Sequence, residues 1–133
     1  MRIGLTRGLS ILVACLPQIL SAAPIAVPSG QPVTFQDVIW EEEGEVNIYR
    51  FRYIAPEIAR DGGTVGFEQA EQDLHYLCET SALPVLIEQK RAVNQIVITL
   101  SDRIVEFGKL SPDATQFIDA YRPEGTSCIW EGF

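Results

Sequence analysis

The spacing of the cysteines places the strongest constraint on the fold of this chain. It contains three, Cys15, Cys78 and Cys128, and the first lies in an N-terminal segment with the features of a removable export signal. Cys78 and Cys128 are then the only available pair, and in an oxidising compartment we expect them to form a disulfide. The bond would close a loop of 51 residues, counting both cysteines, which the chain-entropy model values at roughly 4 kcal/mol of stability. A redox couple usually has its thiols close in sequence, as in C-x-x-C, so the spacing predicts a structural disulfide.

The N-terminal residues predict export. Arg2 and Arg7 precede an uncharged apolar stretch at residues 8–20, and small residues follow at positions 21–23. The stretch has 13 residues, whereas a single membrane span needs roughly 20. We therefore predict that residues 1–23 are a cleaved signal peptide. The mature protein is expected to be periplasmic or secreted, without a membrane span.

A lipid anchor is the alternative interpretation of the same segment. The run Leu12-Val13-Ala14-Cys15 resembles the cleavage motif of bacterial lipoproteins, in which Cys15 would be acylated. Apolar residues continue directly after Cys15, where a lipoprotein normally becomes polar. The cleaved signal peptide is therefore the favoured interpretation.

Composition and charge restrict the function classes. With 47% hydrophobic residues the chain can form a core, and its length fits one domain. Ten basic residues against 18 acidic residues give a net charge of −8, which becomes −10 once Arg2 and Arg7 are removed. Because so acidic a surface repels phosphate groups, we expect no nucleic-acid partner.

The first half of the mature chain predicts an extended arm followed by a β-hairpin. Residues 24–32 contain three prolines and a glycine, which is typical of an extended arm, and residues 33–133 form the single domain. Segments 33–40 and 46–54 are rich in β-branched and aromatic residues and flank the acidic turn 41–45. This pattern indicates two antiparallel strands.

The second of these strands has two chemically different faces. Tyr49, Phe51 and Tyr53 alternate with Arg50 and Arg52, and alternate residues of a strand project to opposite sides. We expect the aromatic face to meet the core.

The segment that follows shows the clearest helical periodicity. Seven positions fall on one stripe about 100° wide, namely Phe67, Ala70, Leu74, Leu77, Cys78, Ser81 and Val85. Pro84 lacks an N–H group, so we expect the helix to kink or restart there before it continues to about Lys90.

The last third of the chain predicts further strands. Residues 95–101 are apolar on both faces, which is typical of a central strand. Segments 116–122 and 127–130 flank a Pro-Glu-Gly-Thr turn, although the first of them also has helical spacing. We favour one helical turn at 112–115 followed by a hairpin, and whether 116–122 is strand or helix stays open.

Together these elements predict an α+β fold. It consists of an antiparallel sheet of about five strands, in ββαβββ order, with one long kinked helix packed on one face. A disulfide between Cys78 and Cys128 staples the helix to the sheet.

Several stretches carry a resemblance to a known family. They are residues 27–31 (VPSGQ), 55–63 (APEIARDGG), 77–80 (LCET) and 128–133 (CIWEGF). In this order they resemble an uncharacterised family of small exported alphaproteobacterial proteins, and the resemblance covers nearly the whole mature chain. It implies export and a shared fold, but no activity and no site residues.

The only histidine gives weak indications of chemistry. Glu71, His75 and Glu79 share one helix face at i, i+4 and i+8, but they span about 12 Å of helix rise and cannot all bind one metal ion. Cys78 is expected to be buried and oxidised, which removes it as a nucleophile for His75. We therefore predict no catalytic residue, no metal site and no cofactor.

Four arginines form the candidate binding patch. Arg50 and Arg52 share a strand face, and Arg103 and Arg122 on neighbouring strands would extend it. Such a patch would bind a small anionic ligand or an acidic protein partner. The alternative is that the arginines pair with glutamates of the hairpin.

The residues favour a binding function over catalysis. The chain lacks an acid, base and nucleophile set, which predicts a non-catalytic periplasmic binding or interaction module. The alternative is a small periplasmic hydrolase that uses a carboxylate pair, since the chain has 18 acidic residues.

Overall fold

A computed structural model describes Gly4 and residues 23–132 of the protein. Its strands are β1 (Thr34–Glu43), β2 (Val46–Ile54), β3 (Gln95–Ser101), β4 (Gln116–Glu124) and β5 (Ser127–Trp130). The helical segment between β2 and β3 comprises α1 (Phe67–Leu77), a π-helical turn (Cys78–Ala82) and α2 (Leu83–Glu88). The five strands and the single long helical segment confirm the predicted elements. Of the predicted signal peptide, only Gly4 and Ala23 are among the described residues, so Cys15 lies outside them.

The sheet is mixed, so the prediction of an antiparallel sheet is wrong for one strand pair. The strands lie in the order β1-β2-β3-β4-β5, and β2 runs parallel to β3 with Phe51 opposite Ile98. The other three pairs are antiparallel. The helical segment carries the chain back along the sheet before β3 begins, and such a crossover connection produces a parallel pair.

The open question at residues 116–122 is resolved as a strand. This segment belongs to β4, which pairs with both β3 and β5. The helical turn predicted at 112–115 is wrong. A tight turn lies there instead, in which the Ala114 N–H donates to the Ser111 carbonyl.

The helix widens just before Pro84 and continues through it. The Leu83 N–H donates to the carbonyl of Cys78, five residues earlier, and Pro84 itself has no N–H to donate. The wide turn changes which residues face the sheet afterwards. Leu83 and Leu86 are buried, whereas Val85, predicted on the buried stripe, is 41% exposed.

The core lies between the helical segment and one face of the sheet, which we call the helix side. Its buried residues from the sheet are Tyr49, Phe51, Tyr53, Ile96, Ile98, Leu100, Tyr121 and Cys128. Its residues from the helical segment are Ala70, Leu74, Leu77, Cys78, Ala82, Leu83 and Leu86. The aromatic face of β2 therefore meets the core, as predicted. The opposite face, which we call the open side, carries Arg50 and Arg52.

The predicted disulfide is present. Cys78 and Cys128 are bonded with their Cα atoms 6.2 Å apart, which joins the π-helical turn to β5. Both cysteines are buried. Two further contacts hold the backbone of Cys128. Its carbonyl oxygen lies 3.0 Å from His75 Nε2, and its N–H donates a hydrogen bond to Glu79 Oε2.

The N-terminal arm is fixed to the helix by a buried carboxylate. Asp73 accepts hydrogen bonds from the Ser29 N–H, the Ser29 hydroxyl and the Gln31 amide. A turn at 27–30 and a bridge between Ile25 and Val33 shape the arm. Within the described part of the chain, no helix has the length and apolar character needed to cross a membrane.

Candidate functional site

The two arginines of β2 lie side by side on the open side, and each is paired with a carboxylate of β1. Arg50 Nε lies 3.2 Å from Glu41 Oε2. Arg52 donates to both oxygens of Asp37, at 2.6 and 3.0 Å. The Arg50–Glu41 pair is the pairing with a hairpin glutamate that was the alternative to a cationic patch, whereas Arg52 pairs with an aspartate.

Arg52 also holds the loop that covers part of the open side. Its guanidinium donates to the Val105 carbonyl at 2.9 Å and lies 5.7 Å from the centre of the Phe107 ring. Only 9% of Arg52 is exposed. Arg52 therefore has a structural role whether or not it binds a ligand.

The structure does not bring the other two predicted arginines into the same pocket. A cavity of about 160 Å³ on the open side is lined by Arg50 and Arg52 but not by Arg103 or Arg122. Arg103 follows β3 and pairs with Asp102, while Arg122 on β4 pairs with Glu124 and Glu131. Binding of an anion by these four residues stays a prediction.

The Asp102 side chain links the two ends of the loop between β3 and β4. Its carboxylate accepts from the Arg103 guanidinium and from the Thr115 N–H. The hydrogen bond from Arg103 contributes most to lowering the pKa of Asp102, and the hydrogen bond from the Thr115 N–H lowers it further. Burial acts in the opposite direction and raises the pKa, but the net effect is a lowered pKa.

A second cavity lies on the helix side, between α1 and the edge of the sheet formed by β4 and β5. It measures about 320 Å³, and we call it the helix-side pocket. Its lining residues are Glu68, Glu71, Gln72, His75, Tyr121 and Trp130.

Tyr121 of the strand wall and the neighbouring Asp119, which does not line the pocket itself, each carry a buried polar atom that lacks a partner among the described residues. Tyr121 is 1% exposed and Asp119 is 5% exposed. Asp119 Oδ1 accepts from the Trp130 indole N–H at 2.9 Å. Among the described residues, the Tyr121 hydroxyl and Asp119 Oδ2 have no hydrogen-bond partner.

The Tyr121 hydroxyl lies in a buried environment next to negative charges. Burial raises the pKa of this hydroxyl well above the ordinary value of 10.0, and the negative charges of Asp119 and Glu71 raise it further. The Tyr121 hydroxyl therefore stays protonated and can act as a hydrogen-bond donor as well as an acceptor.

The helix wall of the pocket is acidic. Glu68 and Glu71 are exposed one turn apart on α1, and within residues 23–132 neither forms a salt bridge. No lysine or arginine is among the residues that line the pocket.

His75 stands at the end of the pocket and anchors β5. Its Nε2 lies 3.0 Å from the Cys128 carbonyl and 3.3 Å from Glu79 Oε1, and its ring centre is 5.7 Å from that of Tyr121. The described residues contain no group of three or more His, Cys, Asp or Glu side chains placed to hold a metal ion.

A third cavity, the apolar groove, lies on the helix side between β1 and α2. It measures about 240 Å³ and is lined by Val38, Trp40, Tyr49, Phe51, Val85, Leu86, Gln89 and Arg91. Trp40 is 54% exposed and stacks on Tyr49 with ring centres 6.3 Å apart. The helix does not cover this part of β1, and the groove contains no buried polar group without a partner among the described residues.

Sequence reasoning missed Asp119 and Tyr121. Their segment was compatible with both strand and helix, so the side that each residue faces was unknown. As a strand it places Phe117, Asp119 and Tyr121 on one face. A carboxylate between two aromatic residues on the core-facing side of a strand was the available signal.

Comparisons with known proteins give one result. No curated protein and no solved structure matches the chain. A family model described as "Family of unknown function (DUF6497)" matches residues 12–133. The resemblance noted from the sequence is therefore confirmed at the level of the family, and the chain belongs to this family of unknown function.

Proposed function

We propose that this protein is exported to the periplasm and acts there as a non-catalytic binding protein whose binding site is the helix-side pocket. One observation carries the proposal. The hydroxyl of Tyr121, which lines a cavity of about 320 Å³, and Oδ2 of Asp119, which is bonded to the lining residue Trp130, are buried and have no partner among the described residues.

Unpaired buried polar groups are rare because each costs about 1–3 kcal/mol. A third such atom in the described chain is Gln31 Oε1, but it belongs to the N-terminal arm. The two atoms on β4 are different, because Tyr121 lines a cavity with an exposed indole on its rim and Asp119 is bonded to that indole. A ligand that supplied their hydrogen bonds would recover this cost on binding.

The walls of the pocket are held in place before a ligand arrives. The disulfide, His75 and Glu79 all fix β5 to the helical segment at Cys128. The Trp130 ring is oriented by its bond to Asp119. Such preorganisation reduces the conformational entropy that the protein loses when a ligand binds.

Export is supported by the apolar segment at residues 8–20 and by the buried disulfide, since disulfides persist mainly in oxidising compartments. Intact-mass measurement of the exported protein tests this part of the proposal. We expect a chain beginning near Ala23 or Pro24. A retained Arg2 would contradict cleavage, and an acylated Cys15 would establish the lipid anchor instead.

The two tryptophans allow a direct test of the binding site. Trp130 lines the helix-side pocket and Trp40 lines the apolar groove, so their indole N–H resonances report on different cavities. The resonances can be assigned with Trp130→Phe and Trp40→Phe. Screening of a small-molecule library by nuclear magnetic resonance should yield ligands that shift the Trp130 signal alone. If all ligands found shift only Trp40, or backbone signals near Arg50, the helix-side pocket is not the binding site.

A hydrolase with a carboxylate pair is the second candidate, because the exposed Glu71 lines the pocket and the buried Asp119 is bonded to its lining residue Trp130. Both charges act on the same tyrosine hydroxyl. Turnover of a ligand found in the screen, abolished by both Asp119→Asn and Glu71→Gln while binding persists, would favour this candidate. Binding without turnover favours the first.

A further inference from the structure

We infer that the ligand of the helix-side pocket is a small organic cation, an ammonium group carried on a short hydrocarbon chain. The inference rests on the proposed function, because it names the ligand class of the same pocket. Three properties of the pocket lead to it: charge, hydrogen-bonding direction and ring geometry.

The charge around the pocket is negative. Glu68 and Glu71 line it, Asp119 accepts a hydrogen bond from the lining residue Trp130, and none of the lining residues is a lysine or arginine. A ligand with a carboxylate or phosphate would be repelled by all three groups. A cation would be attracted by them at a distance and in contact.

Most polar groups in and next to the pocket are acceptors, which favours a ligand that donates hydrogen bonds. Asp119 Oδ2 and the oxygens of Glu68 and Glu71 act as acceptors, while the Tyr121 hydroxyl can both accept and donate. An ammonium group offers three N–H donors and makes charge-assisted bonds to carboxylates. A neutral alcohol has one donor and would leave most of these acceptors unpaired.

The aromatic rings complete the match. Trp130 is 61% exposed, and its ring orientation is fixed by the bond from its Nε1 to Asp119. A tryptophan face attracts cations more strongly than other aromatic faces, and its edge and the neighbouring Tyr121 ring give apolar contact for a hydrocarbon chain. The volume of about 320 Å³ is near the lower limit for small-molecule sites, which favours a small molecule over a protein segment.

Three probes of equal chain length separate charge from shape: n-butylammonium, n-butanol and n-butyrate. Each is titrated at millimolar concentrations into the mature protein while the two indole resonances are followed. We expect n-butylammonium to shift the Trp130 signal and not the Trp40 signal. We expect n-butyrate to shift neither, and added salt to weaken the ammonium complex.

Two sets of variants test the named carboxylates. Glu68→Gln with Glu71→Gln removes two exposed charges of the pocket, and Glu42→Gln with Glu43→Gln makes the same change in net charge at the distant hairpin tip. The pocket variant should bind n-butylammonium roughly tenfold more weakly, and the hairpin variant should bind it nearly as well as the unchanged protein. Asp119→Asn, which keeps an acceptor for the Trp130 indole, should also weaken binding.

The outcomes separate this inference from the proposed function. If n-butanol or n-butyrate shifts Trp130 as strongly as n-butylammonium, and the glutamine variants change nothing, the pocket binds ligands but the cation class is wrong. If none of the probes shifts Trp130, the cation inference is overturned, and the library screen alone decides whether the pocket is a binding site. If the hairpin variant weakens binding as much as the pocket variant, only the net charge of the protein attracts the cation, and the inference also fails.

Discussion

Replacement of both cysteines, Cys78→Ala with Cys128→Ala, should remove a large share of the stability of this protein. The disulfide has a sequence separation of 50, and the chain-entropy model assigns a loop of that length about 4 kcal/mol. The sulfur atoms are also buried, so their removal adds a small cavity cost. Single domains have only about 5–15 kcal/mol of net stability.

Most of this loss should arise in the unfolded chain. In the native state β5 still pairs with β4, and Cys128 keeps its backbone contacts to His75 and Glu79 after the side chain is shortened. The variant should therefore fold, with an unfolded ensemble that is more expanded. We expect a larger denaturant m-value together with the lower free energy of unfolding.

Urea denaturation followed by tryptophan fluorescence measures both quantities. The free energy of unfolding should fall by about 4 kcal/mol, which corresponds to a drop in Tm of roughly 15 °C for a domain of this size. Ser127→Ala on the same strand serves as the control and should change little. A loss below about 1 kcal/mol in the double variant would refute the loop-closure reasoning.

Three further predictions concern individual side chains. Burial raises the pKa of Tyr53 to about 12 from 10.0. The stability that the neutral Tyr53 hydroxyl contributes is therefore fully present below pH 10 and is lost as the pH rises towards 12. Tyr53→Phe should remove this part of the alkaline pH dependence in denaturation measurements. The pKa of Asp102 is lowered, so the stability contributed by its carboxylate is present above about pH 3.9 and is lost in acid. Asp102→Asn should destabilise the protein at pH 7, and this loss of stability should become smaller as the pH falls below 4. Arg52→Gln should lower the free energy of unfolding by about 2 kcal/mol, because it leaves a buried carbonyl without its donor, whereas Arg50→Gln, whose ion pair is more exposed, should change it by less than about 1 kcal/mol.

Local sequence patterns were enough to identify the strands and the helical segment, but not the direction of every strand pair. Alternation in β2 and in β3 indicates two strands in either orientation. The parallel pairing of Phe51 with Ile98 depends on the end of the sheet at which the helical segment returns the chain. This position is set by long-range packing and not by the local sequence. The disulfide was predictable because its two partners were the only cysteines left after the export segment was set aside.

The helix shows where a regular period fails. A uniform 100° per residue places Val85 on the buried stripe, but the wide turn before Pro84 inserts one additional residue into the helix. The side chains beyond it are rotated, so Leu86 is buried and Val85 is exposed. The proline signalled an irregularity, and the sequence alone does not distinguish a wide turn from a kink.

The candidate site was less predictable than the fold because it depends on three separate segments. Trp130 reaches Asp119 only through the β4–β5 hairpin, and Glu71 faces Tyr121 only because α1 packs along β4. The arginines of β2 were conspicuous in an acidic chain. Asp37 lies opposite Arg52 in the hairpin register, whereas Glu41 lies opposite Ile48 and contacts Arg50 diagonally. A sequence pattern can suggest such pairs but not establish them.

Two buried aspartates of the same chain allow a test of whether Asp119 serves binding or stability. Asp73 is fully buried, and three donors from the N-terminal arm satisfy both of its oxygens. Asp119 is nearly as buried, yet one of its oxygens has no partner among the described residues. Asp73→Asn would place an amide N–H group against those donors and should cost about 3 kcal/mol. Asp119→Asn keeps the acceptor for Trp130 and removes an incompletely paired charge, so it should cost less than about 1 kcal/mol or stabilise the protein. Equal losses in urea denaturation would assign Asp119 a structural role, whereas a stable Asp119→Asn variant that no longer binds n-butylammonium would identify it as a residue maintained for the ligand.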